Sequence, residues 1–249
     1  MYMKIFLQRV YFLLWGLPVF SVCMVVFTLL ILISLGFLPN RKLGGRVAYF
    51  WLRCWGYSFS TLTGVFYSTY ISPKVAKKGT YVYTGNHNSF IDGITICLSI
   101  PHDFRPLGKV ELMKVPVFGW MYRYVVILVD RKSVESRLQS MKEMERHLKE
   151  GISILVFPEG TMNLSNQPLQ EFKNGAFTLA IDTQTPIVPM VMINTKKVLP
   201  RKPKMAFRPG WVKTYLLDPI ETKGLTRGDV ESLKEKVRTV MEAKLLEFA

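Results

Sequence analysis

The chain is 249 residues long, carries a formal net charge of +15 and is 49% hydrophobic. That length suits one sizeable α/β domain with an added segment. So apolar a basic chain argues against a nucleic-acid binder and for an anionic membrane surface.

Every charged residue before Asp92 is basic, so the first third of the chain is cationic and apolar together. From Val10 to Leu38 there is no charge at all. About 20 apolar residues cross a bilayer, so this run is long enough to span one. It is too long for a signal peptide and lacks a small-residue cleavage site. Gly16, Pro18 and Gly36 interrupt it, which leaves a kinked or re-entrant helix open. Basic residues flank both ends (Lys4 and Arg9; Arg41, Lys42 and Arg46), so charge alone does not orient it. The stretch 47–67, VAYFWLRCWGYSFSTLTGVFY, places aromatics around Arg53 as an interfacial helix does. Residues 1–68 are therefore expected to form a membrane anchor, either a single span or a helical hairpin dipping in from the cytoplasm. Residues 69–249 are expected to form the α/β domain.

Strands are predicted at Thr80–Thr84, Phe104–Leu107, Val125–Val129, Ile152–Phe157, Ile187–Ile193, Lys204–Arg208 and Trp211–Leu217. Between them, Val134, Leu138, Met141, Met144 and Leu148 recur at helical spacing, and Gly151 ends that helix. A last helix is predicted over 228–246, through Val230, Leu233, Val237 and Val240. Strands alternating with helices give the fold class: α/β, a mixed, mainly parallel sheet flanked by helices, with an N-terminal membrane-embedded helical segment. Cys23, Cys54 and Cys97 show no CxxC or Cys/His spacing; they read as reduced and buried, and suggest no metal site.

The stretch TGNHNSFIDG (84–93) follows the apolar run Tyr81-Val82-Tyr83. Gly85 permits a sharp turn, and Asn88 or Ser89 suits the start of a helix. His87 then sits on the turn with Asp92 about one helical turn on. A carboxylate there accepts the imidazole Nδ1–H and leaves Nε2 free to take a proton from an alcohol. The spacing alone also fits a plain polar turn. Ser89 has no nucleophile elbow around it, and helix capping is its better reading. In ILVFPEGTMN (154–163), a buried strand delivers Glu159, Gly160 and Thr161 to a loop whose N–H groups and hydroxyl suit a phosphate or oxyanion.

Together these blocks resemble the glycerolipid acyltransferases of the 1-acylglycerol-3-phosphate type. The family's NHxSxxD matches Asn86 to Asp92, and its FPEGT matches Phe157 to Thr161. Lys109 with Pro116-Val117-Phe118-Gly119 and Val129-Asp130-Arg131 matches a second block, and Phe172-Lys173-Asn174-Gly175-Ala176 a later one. A proline in a buried strand, Ile187-Val188-Pro189, completes the order, so the resemblance covers about residues 75–195.

The resemblance implies that His87 deprotonates the free hydroxyl of a lysophospholipid while Asp92 orients the ring. The alkoxide then attacks an acyl thioester directly, with no acyl-enzyme, cofactor or metal. Glu159, Gly160 and Thr161 would line the acceptor site, and Lys109, Arg131 and Lys173 would meet its phosphate. The acceptor implied is lysophosphatidate, the product phosphatidate, and the donor acyl-CoA or acyl carrier protein. The bilayer is the other partner, nucleic acid is not one, and the expected location is the cytoplasmic face of a membrane, the bacterial inner membrane. One departure is Met162, where the family usually carries arginine. Either the other cations hold the phosphate, or the acceptor is a less anionic lyso-aminolipid of the ornithine or glycine type. A non-catalytic lipid-binding protein of the same fold is the alternative from another class.

Overall fold

The computed structural model describes residues 2–37 and 41–248; Leu38, where the uncharged run ends, lies outside them. The run forms one long rod: α1 (Tyr2–Tyr11), a π-helical turn (Phe12–Gly16) and α2 (Leu17–Gly36). Pro18, in the first turn of α2, has no N–H to give and its ring crowds the carbonyl four residues back. The wide π turn just before it absorbs that misfit. Val22, Val25, Val26, Leu29 and Ile33 of this rod stand exposed.

Helix α3 (Arg41–Thr63) returns antiparallel along α2. Phe27 meets Trp51 at 6.3 Å, Phe20 meets Trp55 at 5.4 Å, and the Trp51 indole donates to Ser34 Oγ at 3.0 Å. Helix α3 also packs on the rest of the chain, through Ala48, Tyr49, Leu52 and Phe59. Arg53 donates to Cys97 O and Ile100 O, the last carbonyls around the end of α4 (Asp92–Ser99). Those carbonyls lack intrahelical partners, so a part-buried guanidinium suits them.

Residues 65–67 do not continue a helix. They open β1 (Val65–Ile71), which straddles residue 68 and joins the sheet. The remaining strands are β2 (Val82–Gly85), β3 (Phe104–Lys109), β4 (Ile127–Val129), β5 (Ser153–Val156), β6 (Ile187–Ile193) and β7 (Gly210–Leu216). Their order is β1-β7-β6-β2-β5-β3-β4. Strands β6, β2, β5, β3 and β4 run parallel, while β7 runs antiparallel to β6 and parallel to β1. The sheet is thus mixed and mainly parallel, as the alternation of elements implies.

Both faces of the central strands are covered. On β6, Val188, Met190 and Met192 face a core shared with α3, α4 and α5 (Phe118–Val125). Ile187, Val191 and Ile193 face α6 (Val134–Lys149), α7 (Gly175–Asp182) and α9 (Val230–Leu246). That period of two is what a strand buried on both faces requires. The predicted strand at Lys204–Arg208 is absent. The segment runs as a loop between Pro203 and Pro209, with Met205 at φ +63° and Ala206 and Phe207 buried as anchors. Prolines at its borders and a left-handed residue inside it rule out regular pairing.

The carboxyl ends of β2 to β6 share one edge, where β1 and β7 begin. The loop 199–209, the turn into β1 and α1 gather there. Tyr11 donates to Thr63 O at 3.0 Å, Trp15 to Leu62 O at 2.7 Å and Arg9 to Lys204 O at 3.2 Å, while Tyr11 stacks on Phe207. The apolar rod therefore reaches the edge at which open α/β sheets form their sites.

Candidate active site

Strand β2 delivers the first motif to that edge. Asn86, fully buried, uses its side-chain amide as a strand would use its backbone: Oδ1 accepts the Met192 N–H at 2.7 Å and Nδ2 donates to Met192 O at 3.0 Å. This locks the chain just before His87. Asp92 opens α4 and turns back, so that Oδ2 accepts His87 Nδ1–H and the N–H groups of Asn88 and Ser89, each at 2.8 Å. Asp92 is wholly enclosed, whereas the imidazole is 20% exposed. The carboxylate fixes the tautomer: Nδ1 carries the proton and Nε2 keeps its lone pair. Ser89 does no more than hold the turn. Its hydroxyl donates to Leu199 O at 2.6 Å and accepts the Ile91 N–H at 3.3 Å.

Strand β5 delivers the second motif beside the first. Phe157 stacks on the His87 ring, centroids 4.2 Å apart and planes 14° apart. Glu159 Oε1 accepts the His87 N–H at 2.9 Å and Oε2 the Gln170 N–H at 2.9 Å. Burial raises the pKa of Glu159, and these two N–H bonds pull it back down. The His87 carbonyl accepts the Asn163 N–H at 2.6 Å. His87 is thus held by both backbone groups from the loop 159–163, and both Glu159 oxygens are engaged with backbone. Gly160 sits at φ +73°, a left-handed conformation that L side chains resist, and beside it Thr161 is exposed.

The cations fall in two places. Lys109 ends β3 in register with Val129 of β4, so Lys109 and Arg131 share the active edge, two and three strands from β2. At normal strand spacing that is about 10 and 14 Å from the dyad. Arg131 is half-buried and burial lowers its pKa; Tyr122 and Glu111 lie near enough to offset part of that. Burial likewise pushes the Tyr122 phenol up to about 12, against the pull of Arg131. Gly108 makes room for this group, since a Cβ there would lie 1.9 Å from the Tyr122 hydroxyl. Lys173 stands apart at the start of α7, its side chain 69% exposed, with Nζ 3.9 Å from Glu171. Its backbone N–H still ties back to Pro158 O at 2.8 Å.

Sequence reasoning missed Phe157, Gln170 and Asn163 as supports of His87. Phe157 carried a signal, being the aromatic between a buried strand and the Pro-Glu-Gly turn; the other two act through backbone contacts that leave none. Among the described residues no three His, Cys, Asp or Glu side chains converge as metal ligands.

Comparison with known proteins agrees with this layout. The model of the acyltransferase family matches residues 68–193. An uncharacterized acyltransferase of Schizosaccharomyces pombe is 36% identical over 175 residues, covering 69% of this chain and 62% of that protein. Human 1-acyl-sn-glycerol-3-phosphate acyltransferase alpha is 35% identical over 165 residues, covering 65% of this chain and 57% of its own length. The chain thus spans about three fifths of the curated relatives it matches. The crystal structure of the 1-acyl-sn-glycerophosphate acyltransferase PlsC from Thermotoga maritima shares the fold, with a TM-score of 0.79 at 23% identity over 99% of this chain and 96% of that one. The family match takes in half of the chain, and His87, Asp92, Lys109, Arg131, Glu159 and Lys173 all lie within it. The chain belongs to the acyltransferase family.

Proposed function

We propose that this protein moves a fatty acyl group from an acyl thioester to the free hydroxyl of a lysophospholipid, with lysophosphatidate as acceptor and phosphatidate as product. The observation that carries the reading is the 2.8 Å contact between His87 Nδ1 and Asp92 Oδ2, on a carboxylate already held by two N–H groups. Nε2 of His87 takes the proton of the acceptor hydroxyl as its oxygen attacks the thioester carbon. The new C–O bond forms, the C–S bond breaks, and the imidazolium returns its proton to the leaving thiolate. Transfer is direct in this scheme. The Ser89 hydroxyl, bonded to Leu199 O, is in no position to form an acyl-enzyme.

Lys109 and Arg131 face the acceptor phosphate from the β3–β4 side. Burial of Arg131 favours this role, since a half-enclosed cation gains from an anionic ligand. Glu159 supports the histidine and leaves the acceptor to Gly160 and Thr161, with Lys173 at the rim. The exposed apolar side chains of α2, and the contacts of α1 at the active edge, support work at a bilayer surface. We assign the cytoplasmic face of a bacterial inner membrane, where both acyl-CoA and acyl carrier protein are within reach.

Met162 motivates a second acceptor class, the lyso-aminolipids, because the loop 157–163 carries no basic side chain. An acceptor panel tests both: lysophosphatidate, glycerol 3-phosphate and a lyso-aminolipid, each with an acyl-CoA and an acyl carrier protein donor, on wild type and Met162→Arg. Turnover highest with lysophosphatidate supports the first reading. Turnover highest with the lyso-aminolipid, moved toward lysophosphatidate by Met162→Arg, supports the second. No thiol release with any pair would overturn both in favour of a lipid-binding role.

A further inference from the structure

Under α4, two enclosed polar atoms have no hydrogen-bond partner among the described residues: Asp92 Oδ1 and the hydroxyl of Tyr67. The Asp92 carboxylate is lopsided, since Oδ2 takes three donors and Oδ1 takes none. A buried anionic oxygen without a donor is unfavourable, and so is a buried phenol without an acceptor.

The two groups share one neighbourhood. Tyr67 lies on β1, on the strand face that meets α4. Two residues on, Thr69 donates to Ser99 Oγ, in the last turn of α4, at 3.1 Å. One side-chain repeat back along β1 is about 7 Å, and one turn back along α4 is about 5.4 Å. That step sets Tyr67 beside Thr95, one helical turn from Asp92 and close enough to feel its charge. Burial raises the pKa of the phenol, the charge of Asp92 raises it further, and the neighbouring Thr95 hydroxyl offsets part of this, so Tyr67 stays protonated and able to donate. The other ionisable groups about the pair are His87, Glu159 in the loop after β5, Cys97 on α4 and Arg53 on α3. None of them donates to Oδ1.

We propose that Tyr67 is the positioning residue of the dyad: its hydroxyl donates to Asp92 Oδ1, directly or through one enclosed water, fixing the carboxylate against His87 and spreading its charge. This rests on reading His87 as the general base. Without the Tyr67 donor the carboxylate becomes more basic and holds an imidazolium more tightly, so the pair takes up its proton at higher pH.

Tyr67→Phe tests this, because it removes the hydroxyl and keeps the ring. The acid limb of the kcat–pH profile should move up by about half to one pH unit, so that kcat on that limb falls about three- to tenfold with KM unchanged. The same upward shift should appear when the His87 imidazole is titrated by NMR in histidine-labelled protein without substrate. Thr69→Val removes a hydroxyl from the same strand face and should leave the titration unchanged. An unmoved titration midpoint in Tyr67→Phe, or an equal shift in Thr69→Val, overturns the proposal. Because the titration needs no acyl donor or acceptor, it judges Tyr67 even if acyl transfer to lysophospholipids is not found.

Discussion

Glu159 holds His87 by the backbone: its Oε1 accepts the His87 N–H at 2.9 Å, while its Oε2 accepts the N–H of Gln170. The two motif loops, 72 residues apart in sequence, are thereby joined at His87. A carboxylate suits this post because both oxygens accept and neither must donate.

Glu159→Gln should therefore weaken the fold and the rate together. An amide presents one acceptor where two are needed, and leaves a buried N–H facing an NH₂. We expect a loss of about 1–3 kcal/mol in chemical denaturation and a lower kcat. KM for the acceptor should hold. A variant with wild-type stability and a raised KM would return Glu159 to the acceptor site.

Gly108→Ala should disturb the Lys109–Arg131 side of the candidate site from a distance. The added methyl meets the Tyr122 hydroxyl and Val126, so Tyr122, which interacts with Arg131, must shift. Overpacking of this kind costs about 1–3 kcal/mol. Adding Tyr122→Phe should recover part of it, read as a rise in Tm of the double variant over Gly108→Ala alone. No recovery would mean the hydroxyl is not the obstacle.

Much of this arrangement is legible in the sequence, and the reasons differ by element. The motif loops stand out because His87, Asp92 and Glu159 interrupt apolar runs that end as β2 and β5. Strand β1 does not, because aromatic residues occupy both of its faces: Tyr67 points inward while Phe66 and Tyr70 pair outward with Trp211 and Tyr215. Without a polar face there is no period of two to read, and the segment merges with the aromatic helix before it. Lys204–Arg208 misleads in the opposite way, since its apolar residues anchor a loop under Tyr11 and Phe12. The Glu159–His87 and Gly108–Tyr122 contacts join distant segments, and only the fold brings them together.

If Arg131 and Lys109 meet the acceptor phosphate as proposed, Arg131→Ala and Lys109→Ala should each raise KM for lysophosphatidate about tenfold and change kcat far less, because the phosphate does not react. The same variants should barely alter KM for an acceptor without a phosphate. Steady-state kinetics on the two acceptors checks this, and an equal rise for both would mean a structural role.

The most direct test of the account is thiol release from an acyl thioester that depends on added lysophosphatidate, measured on wild type and His87→Ala of matched Tm. We predict release in wild type and a fall of about 10²- to 10⁴-fold in His87→Ala. His87→Ala turning over within a few-fold of wild type would contradict the general-base role of His87.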